Sequence, residues 1–389
     1  MRIRRTTLLC CALLAACETR SVRDVAREGA THAVAEPRVV RLQIDATAPN
    51  EAGAAHSAGA FVLVGGTVIG VGKQNLLVDG GKIVGVGVAA DAAERVLNVA
   101  GRFIVPAFID SHVHLAYYAD GAAELASNGI AAVLDLAAPI AALNVDHAPL
   151  RVLNTGPMIT APNGYPLNSW GAAGYGLSVA NPAAGAAAVE TLFKAGVNAI
   201  KVPLTTAPTL DDATVKAVVA AAHAHGLKVY CHALEDKNAA RAAADGVDVL
   251  AHTPVEPLSA ATLDAWKGRT VISTLSAFSG AEVVLENLRQ LRARGVRVLY
   301  GTDFGNTRET GVQSLEITRL MAAGFDGASI VDIGTRIPAE FLGLTELGTL
   351  QVGKRASFLV LAADPTLDPH TLSQPVAVYV DGALVSAGL

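Results

Sequence analysis

The chain has 389 residues, is 51% hydrophobic and only 17% charged, and carries a formal net charge of −5. With 37 glycines and 5% aromatic residues, it reads as a folded, turn-rich protein whose core is mainly Ala, Val and Leu, and this excludes a disordered chain. The acidic balance, with no basic patch, argues against a nucleic-acid partner.

Arg2, Arg4 and Arg5 form a basic start, and residues 6–16 are a short apolar stretch. The pattern is that of a signal peptide and is too short for a membrane span. It ends in Leu14-Ala15-Ala16-Cys17, which resembles a bacterial lipobox. That resemblance implies cleavage before Cys17 and lipidation of its thiol, so the mature chain is exported and held on a membrane by a lipid anchor. Glu18, in place of Asp, points to the outer membrane and the periplasm. The alternative is an ordinary cleaved signal peptide. Loss of residues 1–16 leaves 27 basic against 35 acidic residues, a net charge of −8. Cys10 and Cys11 go with the leader, and Cys17 carries lipid. Cys231 then remains as the single thiol, and no intrachain disulfide is expected.

Residues 17–58 read as a polar, Ala-rich tether. Beyond it, short apolar runs predict strands at Phe61–Val64, Val68–Val71, Leu76–Val78 and Ile83–Val86. The last two flank Asp79-Gly80-Gly81, a hairpin signal. Val376–Val380 and Ala383–Val385 repeat the arrangement around Asp381-Gly382. Strands at both ends of the chain predict one small β-sandwich domain assembled from residues 59–104 and 346–389.

The middle, residues 105–345, alternates apolar runs with Ala-rich helical stretches. Strand candidates end near Ile109, Asp135, Asn154, Lys201, His232, His252, Leu275 and Asp303. Helices are predicted over Ala122–Ala126, Ala183–Lys194, Asp211–His225, Lys237–Asp245, Ser259–Trp266 and Ala281–Arg294. This alternation predicts an α/β fold, specifically a (β/α)8 TIM barrel.

His112 and His114 occupy alternate positions just after the run Phe103–Ile109. On a strand, residues i and i+2 share a face, so both imidazoles leave the strand end together, as a metal ion requires. Lys201, His232, His252 and Asp303 fall at the ends of the fourth, fifth, sixth and eighth strand candidates, the edge on which barrel active sites are built. Zinc suits neutral imidazoles, whereas a lysine ammonium has no lone pair to offer.

This set resembles the amidohydrolase superfamily, and within it the imidazolonepropionase-like and Xaa-Pro dipeptidase-like branch. Gly80-Gly81-Lys82-Ile83, Gly101-Arg102-Phe103-Ile104-Val105-Pro106, Ile159-Thr160-Ala161-Pro162-Asn163-Gly164, Val249-Leu250-Ala251-His252-Thr253 and Gly348–Ala356 match it too, so the likeness runs over roughly residues 60–389. The resemblance implies two divalent ions, zinc being the expected metal, and a CO2-derived carbamate on Lys201 that bridges them. His112, His114, Asp303 and the carbamate would hold one ion; the carbamate, His232 and His252 would hold the other. It implies hydrolysis of a carbon–nitrogen bond in an amide or dipeptide-like small molecule, with an acidified water and with Asp303 carrying its proton to the leaving nitrogen.

Alternatives stay open at this point. One is a mononuclear cyclic-amide hydrolase or deaminase with Lys201 unmodified. Others are a lactonase or esterase using the same site, and a non-catalytic binding lipoprotein. An oligomer is compatible with the sequence. Asp110 and Asp135 read as supporting groups at strand ends. Cys231, alternating with His232, is expected to face the helices. Tyr230 shares the His232 face, and with Tyr165 and Trp170 it is a candidate substrate contact; Tyr175 lies in the same loop. His223 and His225 do not share a helix face and read as surface residues. Tyr165, Leu134 and Leu234 stand where relatives of this branch carry other pocket residues, so the resemblance does not carry over the family's substrates, Xaa-Pro dipeptides included.

Overall fold

The computed structural model describes residues 59–118 and 120–387. The leader, Cys17 and the tether expected over 17–58 lie outside the described residues. Two sheets are built from the ends of the described chain, the first from its early strands alone and the second from both ends. The first runs in the order Lys82–Val86, Leu76–Asp79, Phe61–Val64, Arg95–Asn98. The second runs Ala383–Ala387, Ala377–Val380, Phe358–Leu361, Phe103–Pro106, Thr67–Val68, Gly72–Lys73. The joint between early and late chain is the antiparallel pairing of Phe103–Pro106 with Phe358–Leu361. A buried cluster that includes Phe61, Leu76, Ile83, Ile104, Phe358 and Tyr379 draws on both sheets.

Both Asp-Gly signals form hairpins. Gly80 and Gly81 have φ of 55° and 77°, and Asp381 and Gly382 have 50° and 77°. The two turns touch: a Cβ on Gly81 would sit 2.8 Å from the Asp381 carbonyl oxygen, so glycine is required there by contact as well as by φ. One expectation fails. Val68–Val71 is not a single strand: it ends at Val68, and the chain turns through Gly70 and Gly72 at φ 77° and 106° before Gly72–Lys73 pairs back antiparallel. An apolar run interrupted by glycine does not specify how far it stays extended.

The middle of the chain is built from parallel strands and helices. Phe108–Val113, Ile130–Asp135 and Arg151–Asn154 form one parallel sheet. Ile200–Pro203, Val229–His232, Val249–Leu250, Thr270–Ile272 and Arg297–Leu299 form another, in sequence order. Segment 300–304 joins the two. Ser111 N donates to Tyr300 O, Asp303 N to His112 O and Thr274 N to Gly301 O. Gly301 permits this approach, because a Cβ there would lie 2.3 Å from Ile272 and 3.2 Å from His112.

All six predicted helices are present, within a residue or so at each end. They are Gly121–Ser127, Pro182–Lys194, Asp212–Ala224, Asp236–Ala244, Ala260–Ala265 and Glu282–Ala293; Ile130–Asp135 is followed by the 3-10 turn Ile140–Ala142 instead of an α-helix. Caps explain several starts. Asn181 accepts from Ala184 N, Asp211 from Thr214 N and Ser259 from Thr262 N. Three further helices, Ser314–Ala322, Gly327–Gly334 and Arg336–Leu342, lie beyond the strand candidate that ends near Asp303. The main buried cluster, Val105 to Val380, runs through this α/β region. Among the described residues no helix is long and apolar enough to cross a membrane.

Candidate metal centre

The strand Phe108–Val113 delivers His112 and His114 into a fully enclosed site: His112 is 0% and His114 2% exposed. Asp303 comes from segment 300–304 with a left-handed φ of 56°, an uncommon conformation for a non-glycine residue. It is held there because its N–H donates to His112 O while its carbonyl accepts from Asn306 N and Thr307 N. The result is a tight triangle of ligand atoms. Asp303 Oδ1 is 3.3 Å from His112 Nε2 and 3.2 Å from His114 Nε2, and the two Nε2 atoms are 3.3 Å apart.

The protonation of His112 follows from its other nitrogen. Nδ1 lies 2.8 Å from the Ala251 carbonyl oxygen, which only accepts, so Nδ1 carries the proton and Nε2 presents a lone pair. His252 Nδ1 meets Thr274 Oγ1 at 3.1 Å. Burial holds His112 and His252 well below the usual histidine value and pulls His232 to about 3, so these rings are neutral and free to ligate. The histidine rings form a continuous chain. Centroids are 5.2 Å apart for His112 and His114, 4.4 Å for His112 and His252, and 4.9 Å for His232 and His252.

Lys201 is fully buried, and its Nζ has no hydrogen-bond partner. Burial lowers its pKa to about 8, while Asp303, Cys231 and Asp135 pull it back up. Its charge in turn depresses His112, His232 and His252, so it sits among them. His114 Nδ1 is likewise buried without a partner. These orphaned atoms, and the convergence of His112 Nε2, His114 Nε2 and Asp303 Oδ1, fit a divalent ion.

The supporting carboxylates work through the backbone. Asp110 Oδ1 accepts from His112 N at 3.0 Å and from Thr302 N at 3.1 Å, and Oδ2 accepts from Thr302 Oγ1, tying the strand of the histidines to the segment of Asp303. Burial raises Asp110 to about 7, against the pull of those hydrogen bonds. Asp135 accepts from Leu115 N at 3.2 Å and Ala137 N at 3.1 Å.

Of the expected substrate contacts, Tyr165 stacks on His232 and Trp170 meets His114 edge-on. Tyr230 is buried, but no ring contact joins it to the site histidines, and the charge acting on it is Asp248. Cys231 packs in the main core. His223 and His225 pair with Asp248 and Glu190 away from the site. Sequence reasoning missed Tyr117, whose ring stacks on His114; the signal available was its position three residues after that histidine, in the short 3-10 turn Leu115–Tyr117.

Residues 103–385 match the model of a family described as "Amidohydrolase family". A curated adenine deaminase from Deinococcus deserti is 27% identical over 307 residues, covering 74% of this chain; the chain spans about half, 53%, of that relative's length. Among solved structures, a Xaa-Pro dipeptidase with bound methionine superposes with a TM-score of 0.73 at 21% identity, covering 84% of this chain and 99% of its own. Phenylurea hydrolase B superposes with a TM-score of 0.68 at 18% identity, over 84% of this chain and 96% of its own.

Proposed function

Because the chain belongs to the amidohydrolase family, we propose that it is a metal-dependent hydrolase of carbon–nitrogen bonds, acting on an amide or dipeptide-like small molecule. The observation that carries this reading is the triangle of His112 Nε2, His114 Nε2 and Asp303 Oδ1 at 3.2–3.3 Å, with the unpaired Lys201 amine beside it. The parallel strands and their helices support a (β/α)8 barrel at 105–345, and the two mixed sheets support a β-sandwich of 59–104 with 346–389.

His112, His114 and Asp303 would hold one ion, and His232 and His252 a second. Zinc suits this ligand set. An unpaired amine lowered to about 8 is nucleophilic enough to take up CO2, and the resulting carbamate on Lys201 would serve both ions. Bound ions supply Lewis acidity to the scissile carbonyl and to water. The chain supplies the rest. Asp303 takes the proton released by the attacking water and returns it to the leaving nitrogen. Asn306 Nδ2, donating to Asp303 Oδ1 at 3.1 Å, holds that carboxylate in place. The buried histidines orient the site and keep bulk water out.

The test is zinc-reconstituted protein assayed for amine release from N-acyl amino acids, dipeptides and simple amides, with lactones alongside. Metal-dependent amine release is expected. Hydrolysis of lactones with no amide cleaved would favour the esterase reading and overturn this one. A mononuclear deaminase is the second reading, favoured by the similarity to adenine deaminase and separated from the first by metal stoichiometry.

We further propose that the enzyme is exported and lipid-anchored at Cys17, facing the periplasm, on the strength of the basic start, the apolar stretch and Leu14-Ala15-Ala16-Cys17. In a Gram-negative host it should sediment with membranes, and Cys17→Ala should release it; an unchanged distribution contradicts the anchor.

A further inference from the structure

Between the parallel strands Ile130–Asp135 and Arg151–Asn154 the chain forms no α-helix, only the 3-10 turn Ile140–Ala142. So short a turn cannot cover the flank that a helix would, and Ile140 and Val145 are left 42% and 54% exposed. This loop and the two strands bound a cavity of about 350 Å3, within the range of small-molecule sites. Leu143, Val145 and Val152 give it an apolar lining, and its polar lining is Asp135, His147 and Asn154. No lysine or arginine lines it. The cavity adjoins the metal centre without belonging to it. Leu115, Ala116 and Tyr118 line it, while Tyr117, in the same stretch of chain, stacks on His114. None of His112, His114, Lys201, His232, His252 and Asp303 lines it.

Asn154 is the lining residue whose side chain the fold leaves unused. It is only 8% exposed, and it lies two residues beyond Val152 on the same strand, so the two share the face that lines the cavity. Its backbone is committed: Asn154 N donates to Asn198 Oδ1 at 3.0 Å, and Asn154 O accepts from Asn198 N at 2.8 Å. Its carboxamide is not. Oδ1 is buried with no partner, and Nδ2 donates to no protein atom among the described residues. Buried amides are nearly always paired, because an unmade hydrogen bond forfeits the water that was given up. The neighbouring acceptor is already used, since Asp135 takes Leu115 N at 3.2 Å and Ala137 N at 3.1 Å.

We propose that this cavity is a second ligand site, for a small neutral molecule with an apolar body and a primary amide or lactam edge that pairs with the Asn154 carboxamide. A carboxamide carries an acceptor and a donor side by side. Its complement is another amide set in the opposite sense, with N–H on Oδ1 and C=O on Nδ2. The apolar body of the ligand covers Leu143, Val145 and Val152, which the missing helix leaves bare. Its neutrality follows from the lining, which offers a charged ligand no unspent partner. The proposal stands apart from the hydrolase reading, because binding here is read without turnover.

The test is a ligand-observed NMR titration of the zinc-reconstituted full chain with 2-pyridone and with N-methyl-2-pyridone. The first carries a lactam edge on an aromatic ring that resists hydrolysis, and the second has lost the N–H. 2-Pyridone should bind saturably and at least about tenfold more tightly than its N-methyl form. Asn154→Leu, which keeps the size and removes the amide, should bring the two probes level. Ala142→Phe, which sets a ring into the cavity from its loop, should abolish binding of both. Ala142 lies on a half-buried surface turn, so this second variant keeps the test decisive should Asn154→Leu fail to fold. Four results overturn the proposal: no saturable binding of 2-pyridone, equal binding of the two probes by the wild type, binding that survives Ala142→Phe, or undiminished discrimination in folded Asn154→Leu.

Discussion

Asp303 Oδ1 lies 3.2 Å from His114 Nε2, and the same oxygen lies 3.3 Å from His112 Nε2, whose proton is committed to its other nitrogen. The lone pair of His112 Nε2 and the Asp303 carboxylate converge on one point, as the ligands of a divalent ion do. Zinc should therefore raise the melting temperature and a chelator lower it. At a thousandfold excess over Kd the linkage is about 4 kcal/mol, enough for a shift of several degrees. His114→Ala should lose most of that shift. A wild-type melting temperature indifferent to zinc and chelator contradicts the site.

Lys201 tests whether the centre is binuclear. A buried amine with no hydrogen-bond partner does little for the fold as an ammonium and much as a carbamate. Metal analysis should find about two ions per wild-type chain. Lys201→Ala should lower that content and cut amide hydrolysis by at least about a hundredfold, with partial recovery when a short carboxylic acid is added to stand in for the carbamate. About one ion per wild-type chain, or full metal content and activity in Lys201→Ala, supports the mononuclear reading instead.

Glu316 predicts a pH dependence of stability away from the metal. It is fully buried, and its carboxylate accepts from Leu275 N at 3.0 Å and Ser276 N at 2.7 Å, bracing the chain after Thr270–Ile272. Burial outweighs these hydrogen bonds and raises its pKa above the ordinary 4.5. The folded chain therefore binds this proton more tightly than the unfolded chain does. Its contribution is full below the ordinary value and is lost as pH rises through the raised one. Glu316→Gln cannot ionise, so it should flatten the fall in melting temperature across that window. It should also cost about 1–3 kcal/mol at every pH, since one backbone N–H then lacks its acceptor. Parallel pH profiles for the two proteins contradict this.

What could be read from sequence was what is local or periodic. The hairpins at Asp79-Gly80-Gly81 and Asp381-Gly382 follow from turn chemistry, and the helices from alanine-rich runs bounded by caps such as Asn181 and Ser259. The pair His112 and His114 was legible because a strand's two-residue period fixes their common face. Tyr117 was not, because it reaches His114 through a 3-10 turn whose curl no periodicity reports. Trp170 is named from the sequence as a candidate contact, but its seat among Tyr117, Tyr165 and Tyr175 depends on how the loop from Asn163, with its φ of 56°, folds back. Tyr230 shows the converse. It alternates with His232 on the strand Val229–His232, yet no ring contact joins it to the site histidines, since a shared strand face does not by itself make side chains touch.

The central claim is that this chain hydrolyses carbon–nitrogen bonds with Asp303 moving the proton. The most direct measurement is amide hydrolysis by zinc-reconstituted Asp303→Asn beside the wild type, with metal content determined on the same samples. The substitution preserves shape and removes the base. The rate should fall at least about a hundredfold for every amide the wild type cleaves, beyond any loss of metal. Undiminished hydrolysis by Asp303→Asn would contradict the account.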